Sequence, residues 1–309
     1  MNLKKPKFWN YKKPNIYSYI LWPISILVQI ANYFRIRSSK KNYKIKKICL
    51  GNFYVGGTGK TSLSIKIKQI LTKKKIKSCF IKKYYPDQID EQRLLKNKGK
   101  LFSEKKRTDS LNKALRQNYK VAIFDDGLQD KSINYDISIV CFNDLNWVGN
   151  GMTIPSGPLR QKLSTLTKYN YVFLNGNLKN INNIKKRIFQ INPKINIYTG
   201  KYIPLNLKDF NLKNKFLVFS GIGNHKTFIN MLKKSGMNIV KDIEFPDHYS
   251  FKKTDINRIL ALSKKLNCKI ITTEKDYLRL KTSNFDQIKY IKSELHIPDE
   301  DRLINDILK

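Results

Sequence analysis

Gly51-Asn52-Phe53-Tyr54-Val55-Gly56-Gly57-Thr58-Gly59-Lys60-Thr61 decides how this chain folds. An apolar run, Ile48-Cys49-Leu50, leads into it, and Leu63, Ile67, Ile70 and Leu71 follow at the spacing of one helical face. A glycine-rich loop between a buried strand and a helix start is the setting of a P-loop. Glycines let backbone N–H groups close around phosphate oxygens, and the helix N-terminus adds the positive end of its dipole. The expected cradle comprises Asn52, Val55, Gly56, Gly57, Thr58, Gly59, Lys60 and Thr61. Lys60 is placed to reach the β- and γ-phosphates of a nucleotide, and the Thr61 hydroxyl to ligate Mg²⁺. The strict pattern has glycine where Tyr54 stands.

The second half of such a site follows downstream. Val121-Ala122-Ile123-Phe124 is an apolar strand that runs straight into Asp125-Asp126-Gly127. A buried strand ending in an acid brings a carboxylate to the metal of a P-loop site. Asp125 is assigned to the metal and Asp126 to the catalytic set.

Further strands are expected at 137–142, 171–174, 195–198, 216–219 and 269–272, after a short one at 78–81. Helices are expected at 109–117, 227–234 and 254–266, while 84–107 reads as polar and irregular. Strands alternating with helices predict a parallel α/β sheet of the P-loop NTPase kind, flanked by helices, with a second, smaller α/β unit. Pro204 and the absence of a long helix near 200–213 place the boundary there. The predicted organisation is an N-terminal anchor over 1–37, a nucleotide-binding domain over 38–205 and a smaller C-terminal domain over 206–309.

Ile16 to Phe34 carries no charge, and Lys12, Lys13, Arg35 and Arg37 flank it. Ser18, Ser25, Gln29 and Asn32 fall at intervals of seven, four and three, one narrow polar stripe on a helix. A stripe of that kind with aromatics and basic flanks suits a helix lying in a membrane interface better than one crossing it. Pro23 is expected to kink that helix or to start a second segment.

The 309 residues hold 61 lysines and arginines against 23 acids, a formal net charge of +38. That balance suits an anionic partner: nucleic acid, an acidic membrane surface or a phosphorylated substrate. Lysine, asparagine and isoleucine recur along the whole chain, so composition alone supplies part of the charge. No basic-aromatic recognition module is present, and no specific nucleic-acid partner is expected. Cys49, Cys79, Cys141 and Cys268 form no Cys-x-x-Cys pair and sit beside apolar runs, as free buried thiols do. No cleavable signal peptide is evident.

The later motifs exclude a guanine-nucleotide switch, because Gly127 follows Asp126 at once and Thr273-Glu274-Lys275-Asp276 is no Asn-Lys-x-Asp. The chain resembles the tetraacyldisaccharide 4′-kinases, or lipid A 4′-kinases. Its landmarks are residues 51–61, Asp-Asp-Gly-Leu-Gln (125–129), Gly-Asn-Gly (149–151), Pro-Ser-Gly-Pro-Leu-Arg (155–160), Gly-Ile-Gly-Asn (221–224), Asp-His (247–248) and Thr-Glu-Lys-Asp (273–276). The resemblance implies transfer of the ATP γ-phosphoryl group to the 4′-hydroxyl of a tetraacyldisaccharide 1-phosphate, giving lipid IVA in lipid A biosynthesis. It also implies Mg²⁺, a lipid-linked disaccharide acceptor and a place on the cytoplasmic face of the bacterial inner membrane.

By the same resemblance, Asp90 of the Asp90-Glu91 pair is the expected base, and His248 its functional histidine. Arg160, on a loop stiffened by Pro155 and Pro158, is expected at a phosphate, with Gln129 and Asn150 as polar substrate contacts. Residues 273–276 either approach the crevice or cap a helix. Three positions depart from the family: Tyr54 replaces a small hydroxyl residue, Lys82-Lys83-Tyr84-Tyr85 replaces Arg-Gly-Tyr-Gly, and Gln161 replaces an acid. A nucleic-acid-binding P-loop ATPase and a non-catalytic membrane-associated relative are the alternatives.

Overall fold

The structure, a computed structural model, describes residues 5–34, 43–86, 89–176, 181–247, 249–280 and 286–309, and only the backbone of Tyr33 and Asp90. Two short helices open the chain, α1 (Ile16–Ile20) and α2 (Trp22–Tyr33). Pro23 sits in the first turn of α2, where a missing N–H costs nothing, so the helix restarts rather than kinks.

The alternation continues through β1 (Lys46–Gly51), α3 (Lys60–Lys73), β2 (Ser78–Lys83), α4 (Ile89–Lys98), β3 (Leu101–Glu104), α5 (Arg107–Arg116) and β4 (Val121–Asp125). Next come β5 (Ile137–Asn143), β6 (Tyr171–Asn175), α6 (Ile181–Ile191) and β7 (Asn196–Pro204). A second group holds β8 (Lys215–Ser220), α7 (His225–Lys234), β9 (Asn238–Glu244), α8 (Lys253–Lys265), β10 (Lys269–Thr273), α9 (Glu274–Tyr277) and β11 (Ile288–Ile291). The chain ends with β12 (Ser293–His296) and α10 (Glu300–Leu308).

The large sheet has the order β12-β7-β6-β5-β1-β4-β2-β3, parallel throughout except for β12, which runs antiparallel to β7. The second sheet, β11-β10-β8-β9, is wholly parallel. One face of the large sheet packs Ile48, Leu50 and Ile123 against Leu63, Ile67 and Ile70 of α3 and against Leu303, Ile304 and Ile307 of α10. Its other face packs Cys49, Phe124 and Ala122 on Leu111 and Ala114 of α5. Helices on both faces are the doubly wound arrangement that the strand–helix alternation predicts.

One expectation is corrected. The stretch 84–107 is not irregular: it holds α4 and β3. As an edge strand, β3 buries only Phe102 fully, so it shows little hydrophobic signal. The expected boundary near 200–213 begins inside β7, which runs on to Pro204 because its far half pairs with β12. The four-stranded sheet spans 215–291, and residues 293–308 return to the large sheet. All four cysteines are free, and burial pushes the Cys79 thiol up to about 12.

Because β1 and β4 are parallel neighbours, with Leu50 opposite Asp125, the glycine-rich loop and the acid pair leave the sheet at the same edge, side by side. The chain order reverses around these two strands, which is where doubly wound sheets open their ligand crevice.

Candidate active site

The loop from Asn52 to Gly59 is braced by its own side chains. Asn52 Nδ2 donates to the carbonyls of Tyr54 and Gly56, at 2.7 and 3.0 Å, and so braces the turn from within. Gly59 has φ 81°, the left-handed value that a side chain resists, and caps α3 directly before Lys60. Gly57 faces the backbone of Gly223 so closely that an added Cβ would lie 2.9 Å from the Gly223 carbonyl carbon. The Gly221–Asn224 loop of the second sheet therefore closes over the P-loop. The Thr58 hydroxyl and Asn224 Nδ2, both buried donors at this junction, have no partner among the described residues. Unpartnered donors beside a ring of backbone amides fit an anion.

The charged groups follow from the strand ends. Thr61 Oγ1 lies 3.3 and 3.2 Å from the two oxygens of Asp125, and Ser64 Oγ adds a contact at 3.3 Å. Asp126 adopts φ 62°, a left-handed conformation that aspartate tolerates better than most residues. It sets one carboxylate oxygen 3.8 Å from Lys60 Nζ and the other 2.9 Å from Arg160 Nη1. Arg160 also donates to Gln129 Oε1 at 3.2 Å, and Gln129 Nε2 donates to the Asn52 carbonyl at 3.1 Å. Burial opposes the charge on Asp126, yet Lys60, Arg160 and Lys82 outweigh it and hold the carboxyl below the usual carboxylate range. Burial likewise opposes the Lys60 ammonium, and Asp126, Glu91 and Asp125 outweigh it.

Lys60, Thr61, Asp125, Asp126, Gln129 and Arg160 are thus brought together at one place. Asn150 is not brought to them. Its amide donates to Ser18 Oγ and to the Ser156 carbonyl, both at 2.9 Å, and its oxygen accepts from the Met152 N–H. That set of partners pins α1 to the Gly149–Pro158 loop. Asp90 falls in the first turn of α4, and His248 lies outside the described residues. Thr273 caps α9 by accepting from the Asp276 N–H, while Lys275 reaches Glu91 at 3.4 Å, so the 273–276 motif serves both as cap and as crevice contact. Asp276 in turn accepts from the Gly221 N–H at 3.1 Å and steadies the loop over Gly57.

Sequence reasoning missed the roles of Lys82 and Arg107, and named Glu91 only as the neighbour of Asp90. Lys82 Nζ sits 2.6 Å from Glu91 and 2.7 Å from Asp125. Arg107 donates to the Asp126 carbonyl at 2.6 Å and pairs with Asp130 at 2.9 Å, which fixes the turn holding Asp126. Nothing local marks these side chains among so many other lysines and arginines. A cavity of about 230 Å³ adjoins the site, lined by Gly176, Tyr202, Pro204, Thr227 and Met231. Asn175 connects it to the P-loop by donating to the Thr58 carbonyl, and Asn143 donates to both Asn175 and Thr227.

A family model described as Tetraacyldisaccharide-1-P 4'-kinase matches residues 17–100 and 87–309. The chain belongs to the tetraacyldisaccharide 4′-kinase family. Its enzymatic class, a kinase, follows from that membership. A tetraacyldisaccharide 4′-kinase of Pelagibacter ubique (strain HTCC1062) is 56% identical over 309 residues, covering 100% of this chain and 98% of that protein. One from Rickettsia canadensis (strain McKiel) is 32% identical over 329 residues, covering 100% and 98%. Among solved structures, the fold matches LpxK from Aquifex aeolicus, described as an "apo" form in complex with ATP, with a TM-score of 0.67 at 21% identity. That match covers 94% of this chain and 99% of the other.

Set against the family pattern, Tyr54 has a structural cause. It is buried at 1% exposure, its hydroxyl donates to Asn10 Oδ1 at 2.8 Å, and Lys5 lies over its ring at 5.0 Å. The larger side chain ties the N-terminal segment to the back of the family's P-loop without entering the cradle. Gln161 accepts from Thr165 and weakly from Tyr169, outside the charged cluster.

Proposed function

We propose that this chain transfers the γ-phosphoryl group of ATP to the 4′-hydroxyl of a tetraacyldisaccharide 1-phosphate, the step that yields lipid IVA, at the cytoplasmic surface of the inner membrane. The observation that carries this is the convergence of Lys60, Thr61, Asp125 and Asp126 at the joined ends of β1 and β4. Phosphoryl transfer asks little covalent chemistry of a protein; it asks for in-line placement and neutralised charge. The amides of 55–61 and the Lys60 ammonium bind the triphosphate oxygens. Arg160, tethered to Asp126 and Gln129, sets a second cation at the same mouth.

The residues present fit Mg²⁺ held jointly with a nucleotide. One hydroxyl and one carboxylate, Thr61 and Asp125, are few protein ligands, and Mg²⁺ usually keeps waters and phosphate oxygens for the rest. Among the described residues no cluster of three or more histidine, cysteine or acidic side chains offers a closed metal cage. When bound, the ion, held by Thr61 and Asp125, would draw charge off the phosphate oxygens. In the transfer, the acceptor oxygen forms a bond to the γ-phosphorus as the β–γ bridging bond breaks, and ADP departs. Asp90 takes the hydroxyl proton in this reading, with His248 as its partner. Supporting this, the first turn of α4 carries Asp90 beside Glu91, whose carboxylate reaches the site through Lys82. The 230 Å³ cavity lined by Gly176, Tyr202 and Thr227 suits the nucleobase.

Membrane docking rests on α1 and α2. Ser18 and Ser25 of the polar stripe are buried against the protein, with Ser25 Oγ donating to the Thr153 carbonyl at 2.9 Å. Ile16, Trp22, Leu27, Ile30 and Phe34 consequently face outward, Leu27 at 66% and Phe34 at 75% exposure. No helix among the described residues is long and apolar enough to cross a membrane. An outward apolar face on a chain of formal charge +38 suits an anionic leaflet.

Incubation with γ-labelled ATP, Mg²⁺ and the disaccharide acceptor should label the lipid, and Lys60→Ala should cut the rate by roughly 10²–10³. Label transfer that survives this substitution would refute the assignment.

A further inference from the structure

Lys82 occupies an unusual place. Its side chain is 2% exposed, and its ammonium bridges two carboxylates from different elements, Glu91 Oε2 at 2.6 Å and Asp125 Oδ2 at 2.7 Å. Asp125 belongs to the metal half of the P-loop site, with Thr61 and Ser64 on its near side. Glu91 is held from the far side by Lys275, 3.4 Å away on the second sheet's α9. Two buried carboxylates within reach of one small cation are the donor arrangement that hard divalent ions seek. Here the protein supplies the cation itself.

Charge balance gives that arrangement a direction. Among the described side chains, four cations, Lys60, Lys82, Lys275 and Arg160, face three acids, Glu91, Asp125 and Asp126. A bare divalent ion entering this cluster meets repulsion, whereas a metal–triphosphate complex brings its own excess of negative charge. We propose that Lys82 is a built-in counter-ion that denies the Asp125–Glu91 pair to free divalent metal, so that metal enters only together with a nucleotide. The phosphates then draw the ammonium and supply the ligands the bare ion lacks. Burial opposes charge on both partners, but Asp125 and Glu91 raise the Lys82 pKa, and Lys275, Lys82 and Lys60 hold Glu91 well below the usual carboxylate range. This inference rests on the nucleotide-kinase reading of the P-loop.

Mn²⁺ is the probe, followed by its free-ion electron paramagnetic resonance signal with full-length protein. The wild type should leave Mn²⁺ free at about 1 mM without nucleotide and take it up once ADP is added. Lys82→Met should bind Mn²⁺ without nucleotide at least about tenfold more tightly, Lys82→Arg should behave as wild type, and adding Glu91→Gln to Lys82→Met should abolish the gain. Stoichiometric nucleotide-free binding by the wild type, or no gain in Lys82→Met, overturns the proposal. Should Lys82→Met fail to fold, acetyl-lysine at position 82 removes the charge and keeps the stem, with the same two outcomes. The readout needs no turnover. If the lipid stays unlabelled while the Lys82→Met gain appears, the acceptor assignment fails and the counter-ion role stands; the reverse result fails only the latter.

Discussion

The left-handed backbone at Asp126 turns its carboxylate back over Lys60 and toward Arg160, in place of pointing it along the strand direction. Its ionised form is held by three cations, which sets a sign for the response to pH. A carboxyl whose folded pKa is depressed adds stability that is fully present above its unfolded value of about 4 and is lost as pH falls through the folded value. Asp126→Asn should accordingly cost stability at pH 7, and the gap to wild type should close below about pH 4. Urea denaturation at several pH values measures this; a gap unchanged by pH contradicts it. At this scale the sequence was legible where chemistry is local. Lys60 and Thr61 are marked by the glycines before them, and Asp125 and Asp126 by the apolar strand before them. The meeting of Lys82 and Glu91 at Asp125 is not marked, because it arises from β2 and α4 meeting β4 in space. Asn150, read as a substrate contact, instead serves Ser18 and its own loop.

Elements buried on two sides announce themselves, and elements at an edge do not. β1, β4, β5 and β6 are central strands with unbroken apolar runs, and the sequence places each within a residue or two. β9 exposes most of its side chains at the edge of the second sheet, and β12 is short and half polar, so neither shows a strand pattern. Helix α10 is not foreseen for a different reason: it follows β12 back onto the large sheet and belongs to neither local unit. Yet Leu303, Ile304 and Ile307 are fully buried against Ile67 and Ile70 of α3. Leu303→Ala should therefore cost about 2–5 kcal/mol in urea denaturation, in proportion to the cavity left on the large sheet. A loss within 0.5 kcal/mol, as at a surface site, would detach α10 from that core.

Over the whole molecule, polar contacts inward and apolar ones outward make α1 and α2 the inverse of an ordinary surface helix. Leu27→Glu combined with Ile30→Glu leaves the Ser18 and Ser25 anchors untouched. The pair of changes should reduce sedimentation with anionic vesicles severalfold while thermal stability stays within a degree or two. Undiminished sedimentation would put the membrane contact elsewhere, on the lysine-rich surface. The doubly wound plan was legible from the alternation alone. The return of the tail was not, because antiparallel pairing of β12 with β7 depends on two stretches some ninety residues apart. That return means the smaller sheet hangs from the larger by two strands, β7 leaving and β12 coming back, laced by the Leu205 N–H to the Lys292 carbonyl and by Asn206 to Lys292. A single protease cut in the exposed turn at 211–213 would therefore sever the chain without parting it: the downstream fragment stays threaded into the nucleotide half, and the nicked protein keeps both walls of its crevice.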